Sequence, residues 1–208
     1  MDSTQNIPGG KLDLYARAAA TMYGIVKFDD FFKILEVYYG DGALSQERLL
    51  FYFWTKKTPD PVYYVQNELI VHHSIPPADI VHVQRNIQDY FNRNKRPSNH
   101  RVLIEKEFLA YADPFFYEDC PGTRQMVRYF IDNMGLSQED AKEIVAETVF
   151  LCRTSSSPVY IINALNRRNL PCDKDREFDL LNLGMDIEGD IRQWELQGYT
   201  IKELSGRA

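Results

Sequence analysis

Residues 62–71 read Val62-Tyr63-Tyr64-Val65-Gln66-Asn67-Glu68-Leu69-Ile70-Val71. Two runs of β-branched and aromatic residues flank a polar Gln-Asn-Glu, a pattern that predicts a β-hairpin. Working back towards the N-terminus, three segments show helical spacing. Leu12, Tyr15, Ala16, Ala19 and Met22-Tyr23 predict a helix over 11–23, broken by Gly24 and followed by the short extended piece Ile25-Val26-Lys27. Phe28, Phe31, Phe32, Leu35 and Tyr38-Tyr39 predict a second helix over 28–39, ended at Gly40-Asp41-Gly42. Ser45 is an N-cap residue for a third helix, with Leu49, Leu50, Phe53 and Trp54 as its apolar stripe and Thr58-Pro59-Asp60-Pro61 as its stop. Three helices followed by a hairpin is the order of a winged helix-turn-helix, in which the hairpin closes a core that three short helices cannot cover alone.

Pro76-Pro77 marks the end of this region. Beyond it Ile80, Val83, Ile87 and Phe91 form one stripe, and further helical patterns follow over 105–111 and 121–134, after Ser137 with the stripe Ala141, Ile144, Val145, Thr148 and Val149, and over 159–166, 175–185 and 187–197. Ser137, with Asp140 three residues on, is a capping-box-like start. The fold class read from this order is mainly α (α+β): a flexible tail over 1–10, a winged-helix-like domain over 11–77 and an α-helical domain over 78–208.

The chain has 208 residues, 44% hydrophobic and 13% aromatic, which is enough to bury a sizeable core and excludes a mostly disordered protein. A net charge of −6 argues against strong non-specific nucleic-acid binding by the chain as a whole and leaves room for a local basic patch. Cys120, Cys152 and Cys172 are odd in number and widely spaced, so reduced thiols and a cytoplasmic location are expected, with neither a disulfide framework nor a structural zinc. The first ten residues lack a signal-peptide layout, and no apolar run approaches the roughly 20 residues of a membrane span.

Residues 192–204 read Arg-Gln-Trp-Glu-Leu-Gln-Gly-Tyr-Thr-Ile-Lys-Glu-Leu. Gly198 is placed to end a helix that carries Trp194, and Thr200 with Glu203 forms a capping box for a last turn. Arg192 is available to a carboxylate or an aromatic face, and Trp194 is expected to dock into the core as a C-terminal lock. This string, with Met22-Tyr23-Gly24-Ile25-Val26 and Phe28-Asp29-Asp30-Phe31 near the other end, resembles bacterial protein families that begin L-Y-G-I-[VI] and end N-x-T-R-x-W-x-x-x-G-H-T-P-x-E-L, some with an appended SEC-C zinc motif. Arg192, Trp194, Gly198, Thr200, Glu203 and Leu204 match the tail; Met22 replaces Leu, Tyr199 replaces His and Ile201 replaces Pro. Gly189 and Ile191 stand at the Asn and Thr positions, and the cysteine-rich extension is missing. The resemblance implies a shared fold and no reaction, because those families have no known biochemical role.

No phosphate-binding loop, dinucleotide fingerprint or G-x-S-x-G elbow is present, so no cofactor is expected. The Ser-rich stretch Thr154 to Pro158 reads as a connector. Basic residues cluster at Arg85, Arg93, Lys95, Arg96, His100 and Arg101, with Tyr90 and Phe91 interleaved, a composition suited to nucleic acid or an acidic partner. The third helix would lie in the major groove of a winged-helix complex, where Arg48, Lys56 and Lys57 are candidate contacts and Glu47 opposes phosphate. The reading that follows is a non-enzymatic binding or regulatory module for a protein partner or DNA, with a homo-oligomer open. The alternative is a metal-dependent hydrolase built on His72, His73, His82 and Asp79, or on the acids from Asp113 to Asp119.

Overall fold

The computed structural model describes residues 8–42, 44–96, 99–154, 159–170 and 172–206. The chain is mainly helical with one small sheet, and it divides into two compact units, residues 1–114 and 115–208. The sequence places its boundary after Pro77, whereas the helices that follow Pro77 as far as residue 110 belong to the first unit.

The first unit runs α1 (Gly9–Tyr23), β1 (Ile25–Lys27), α2 (Phe28–Tyr39), α3 (Gln46–Thr55), β2 (Tyr63–Gln66), β3 (Leu69–His72), a 3-10 turn (Pro77–Asp79), α4 (Ile80–Arg93) and α5 (Glu105–Ala110). Gly24 ends α1 at φ 74°, a backbone angle most side chains disfavour, and its N–H returns to the Ala20 carbonyl at 2.9 Å. The hairpin forms with Gln66 opposite Leu69, so its loop is Asn67-Glu68 alone, both with positive φ (49° and 61°). Two left-handed residues give a turn whose twist matches that of the flanking strands. The short piece 25–27 is a strand as well. It pairs antiparallel with β3, Val26 opposite Ile70, giving a three-stranded sheet in the order β1-β3-β2.

The core of this unit is aromatic. Tyr15, Tyr23, Phe28, Phe31 and Phe108 are buried; Phe53 stacks on Phe28 at 5.4 Å, and Phe108 packs near Tyr15, Tyr23 and Tyr38 at 5.7–6.3 Å between ring centroids. The hydroxyls need acceptors in such a site, and the chain from the end of α4 to the first residue of α5 supplies them. Tyr23 donates to the Arg101 carbonyl at 2.7 Å, Tyr38 to the Leu103 carbonyl at 3.0 Å, and Tyr15 to the Glu105 carboxylate.

The second unit comprises α6 (Pro121–Asp132), α7 (Gln138–Thr154), α8 (Tyr160–Arg167), α9 (Lys174–Glu188) and α10 (Ile201–Ser205). Met126, Phe130, Ile144, Val145, Val149, Leu165, Leu180 and Ile187 form its core. Gly122 lies where α6 meets α9; a Cβ there would stand 2.5 Å from Ile187 Cγ2. The helix expected over 187–197 does not form: α9 stops at Glu188, and 189–200 is a chain of turns. Burial explains this. Ile191, Gln193, Trp194, Leu196 and Thr200 are all buried, a spacing no single helical face accommodates, and the Trp194 N–H is used at 3.1 Å by the Arg153 carbonyl.

A candidate interaction face on α3

Leu49 and Phe53 of α3 point inward at 1% and 5% exposure, and the half-buried Tyr52 donates its hydroxyl to the Gly9 carbonyl at 2.9 Å. At about 100° per residue the opposite side of the helix is then fixed. It carries Glu47, Arg48, Phe51, Trp54 and Thr55, all exposed. Phe51 and Trp54 are each 67% exposed, among the most exposed large apolar side chains described. Trp54 therefore leaves the inward stripe expected for it, and Phe51, three residues away, doubles the patch. Among the described residues neither Glu47 nor Arg48 has an ion-pair partner.

The inner edge of α3 is closed by charges. Lys56 Nζ lies 2.8 Å from Asp13 Oδ1, 2.9 Å from the Tyr63 hydroxyl and 3.4 Å from Asp60 Oδ2. Asp60, its side chain 2% exposed, also accepts from Arg17 Nε and from the Val62 N–H at 3.0 Å. Burial opposes the charge on Asp13, yet the bonds from Lys56 and Tyr63 outweigh it and hold that carboxyl below its ordinary range. Burial and the bond to Asp13 together push the Tyr63 hydroxyl well above its ordinary value. Lys56 thus ties α3 to α1 and β2, while Lys57, one residue on, is exposed.

Of the basic island, Arg85, Arg93, Lys95 and Arg96 are exposed and Arg101 is half-buried. Arg93 Nε folds back onto the Asp89 carbonyl at 3.1 Å, and Arg101 Nη1 donates to the Val102 carbonyl at 3.2 Å. His100 is not part of an open patch. Its side chain is 8% exposed, it sits edge-on to Tyr23 at 4.7 Å, and Nδ1 is 4.0 Å from Asp30 Oδ2. Burial pushes its pKa down against the opposing pull of Asp30.

The residues of the hydrolase alternative are placed apart. His72 Nδ1 meets the Ser74 hydroxyl at 2.9 Å, His73 Nε2 meets the Asp60 carbonyl at 2.7 Å, and His82 Nε2 meets Asn86 at 3.3 Å. Asp119 pairs with Arg124 at 2.8 Å, and Glu118 with Arg153 at 2.7 Å. Among the described residues no three His, Cys, Asp or Glu side chains converge as metal ligands would. Burial pushes the Cys152 thiol up to about 12, far from the thiolate a nucleophile needs. Of the stretch from Thr154 to Pro158, residues 155–158 lie outside the described residues.

In the tail, Trp194 is 4% exposed and edge-on to Phe150 at 5.9 Å. Arg192 reaches both oxygens of Glu203, at 2.8 and 3.3 Å, and the Gly198 carbonyl at 2.9 Å. Thr200 and Glu203 form the capping box of α10, with both bonds at 3.0 Å. Gly198 has φ 80°, and it ends a turn, not a helix.

No protein-family model, curated protein or solved structure matches the chain. No helix among the described residues is long and apolar enough to cross a membrane.

Proposed function

We propose that the chain is a non-enzymatic binding module whose first unit is winged-helix-like and takes a protein partner on the outer face of α3. The order α1-β1-α2-α3-β2-β3 and the strand order β1-β3-β2 support the winged-helix reading, and membership of the bacterial families with the same two end motifs is part of the proposal.

One observation carries the choice of a protein: the surface that would enter the major groove exposes Phe51 and Trp54. Duplex binding draws on cations that neutralise phosphates. Here Glu47 stands on the outer face, Lys56 is committed to Asp13 and Asp60, and the hairpin loop is Asn67-Glu68. Exposed Trp and Phe with an Arg beside them are the side chains enriched at protein interfaces.

Gel-shift titrations with duplex DNA at low salt, run beside partner capture by wild-type and F51A/W54A chains, test this reading. The expected result is no salt-sensitive duplex affinity, and capture that disappears in the double variant. Duplex affinity that falls with salt and is lost in R85A/R96A would move the contact to the basic island and overturn it.

A further inference from the structure

We propose that the outer side of α9, in the second unit, is a docking surface for a basic amphipathic helix of another protein. The proposal goes beyond the reading of α3 and does not depend on it.

Leu180, Leu183, Gly184 and Ile187 turn α9 onto the core of its unit. Phe178, Leu181 and Met185 stand away from that side. At about 100° per residue these three fall within about 60° of one another and form a ridge about two turns long. Phe178 is 66% exposed and Met185 54%, with Leu181 half-buried between them. Apolar side chains at i, i+3 and i+7 are the spacing with which one helix seats another, and a Met at the end of the ridge adapts to the partner it meets.

Charge selects the partner. Asp175, Asp179 and Asp186 line one flank of the ridge, Glu177 and Glu188 the other. Lys174 stands at the N-terminal end of the ridge, and Arg176 is held by Asp173 at 3.7 Å. Among the described residues Asp175, Glu177, Asp186 and Glu188 have no ion-pair partner, and Asp179 accepts from the Tyr129 hydroxyl at 3.3 Å. Helix stability accounts for the acids of the first turn and not for those of the last. Carboxylates suit the N-terminal end of a helix dipole, whereas Asp186 and Glu188 stand at the opposite end, and no basic residue of that turn relieves them. Two rows of carboxylates bracketing an apolar ridge repel nucleic acid, an anionic membrane and the same face of a second copy. They match a helix whose own apolar stripe is flanked on both sides by Lys and Arg.

Binding of fluorescently labelled peptides to the full chain, read by anisotropy, tests the proposal. The probe is a peptide of about 18 residues of Leu and Lys with its Leu residues on one helical face, long enough to hold a helix once bound. Two controls accompany it: the same composition scrambled so that no apolar stripe forms, and the patterned peptide with Glu for Lys. The patterned Lys peptide is expected to bind at micromolar strength, to gain helical circular dichroism on binding and to weaken as salt rises. Phe178→Ala weakens it about tenfold, F178D/M185D abolishes it, and E177Q/D186N weakens it several-fold and flattens the salt dependence. All four side chains are exposed, so thermal melting is unchanged in these variants. F51A/W54A binds as wild type does, which separates this face from α3. A wild-type chain that does not bind the patterned Lys peptide overturns the proposal. Equal affinity for the scrambled peptide shows diffuse charge attraction, and equal affinity for the Glu peptide shows no charge selection; either overturns it. Binding that survives F178D/M185D, or that is lost in F51A/W54A, places the contact elsewhere and overturns it as well.

Discussion

Arg17 Nε lies 3.0 and 3.2 Å from the two carboxylate oxygens of Asp60, across 43 residues of sequence. This pair clamps the segment after α3 onto α1, and Lys56 and the Val62 N–H complete the shell around the same carboxylate. Asp60→Asn keeps the shape and removes the charge, leaving Lys56 and Arg17 short of an anion. Arg17 is a third exposed, so solvent offsets part of the loss; a destabilisation of about 2 kcal/mol is expected in urea unfolding. A change under about 0.5 kcal/mol, the level of an ordinary surface substitution, would show that the clamp is decorative.

The second unit has its own buried pair. The Arg153 side chain is 1% exposed and donates through Nη2 to Glu118 at 2.7 Å. Glu118→Ala leaves a guanidinium in the core and is expected to cost about 3 kcal/mol, whereas E118A/R153M recovers a good part of it. The measurement is denaturant unfolding read through Trp194 in a Trp54→Phe background. Strictly additive losses in the double variant would contradict the pairing.

Stability should fall in two stages on acidification. His100 is held neutral by burial, its pKa below the ordinary value. Its contribution is therefore complete above the unfolded value of about 6.5 and declines as pH drops beneath it. Asp13 and Glu105 have lowered carboxyls. For Glu105 the Tyr15 bond is the main cause; for Asp13 the bonds from Lys56 and Tyr63 overcome burial. Their contributions are present above about 4 and vanish as pH falls through the lower folded values. Urea midpoints of the first unit should slope downward below about pH 6.5 and more steeply below about pH 4, with His100→Gln abolishing only the upper slope. A midpoint unchanged between about pH 7 and pH 5 would remove His100 from this account.

Two glycines should respond in opposite directions. A Cβ on Gly122 meets Ile187 Cγ2 at 2.5 Å and Ile187 backbone at 3.4 Å, so Gly122→Ala forces α6 from α9 at about 1–3 kcal/mol. A Cβ on Gly10, in the first turn of α1, meets nothing within 4 Å, and Gly10→Ala is expected to stabilise by about 0.5 kcal/mol. Thermal melting of the two variants, shifting downward and upward in turn, checks the pair.

The hairpin and the helices before it were legible because their punctuation is chemical: Gly24, Gly40 and the Asn67-Glu68 loop all adopt positive φ. The strand at 25–27 was legible as extended chain, but its pairing with Leu69–Val71 was not, since three residues carry no periodicity to mark a register. Trp54 has the hydrophobicity of the buried stripe without its position; next to the buried Phe53, about 100° of rotation turns it outward. Lys56 reads as a free cation in sequence and is held by partners 43 and 7 residues away. Ile187, Ile191 and Trp194 imitate a helical stripe, while tertiary bonds such as that from the Trp194 N–H to the Arg153 carbonyl turn the chain instead.

The anchoring of α10 decides what a shortened chain would lose. Glu203 neutralises Arg192 and caps the turn at Thr200, and the Tyr199 carbonyl accepts from Gln193. A chain truncated after residue 199 lacks the Glu203 carboxylate and the Thr200 cap, so Arg192 loses that anion. The turns over 189–199 of such a chain should be cut by protease faster than those of the full chain.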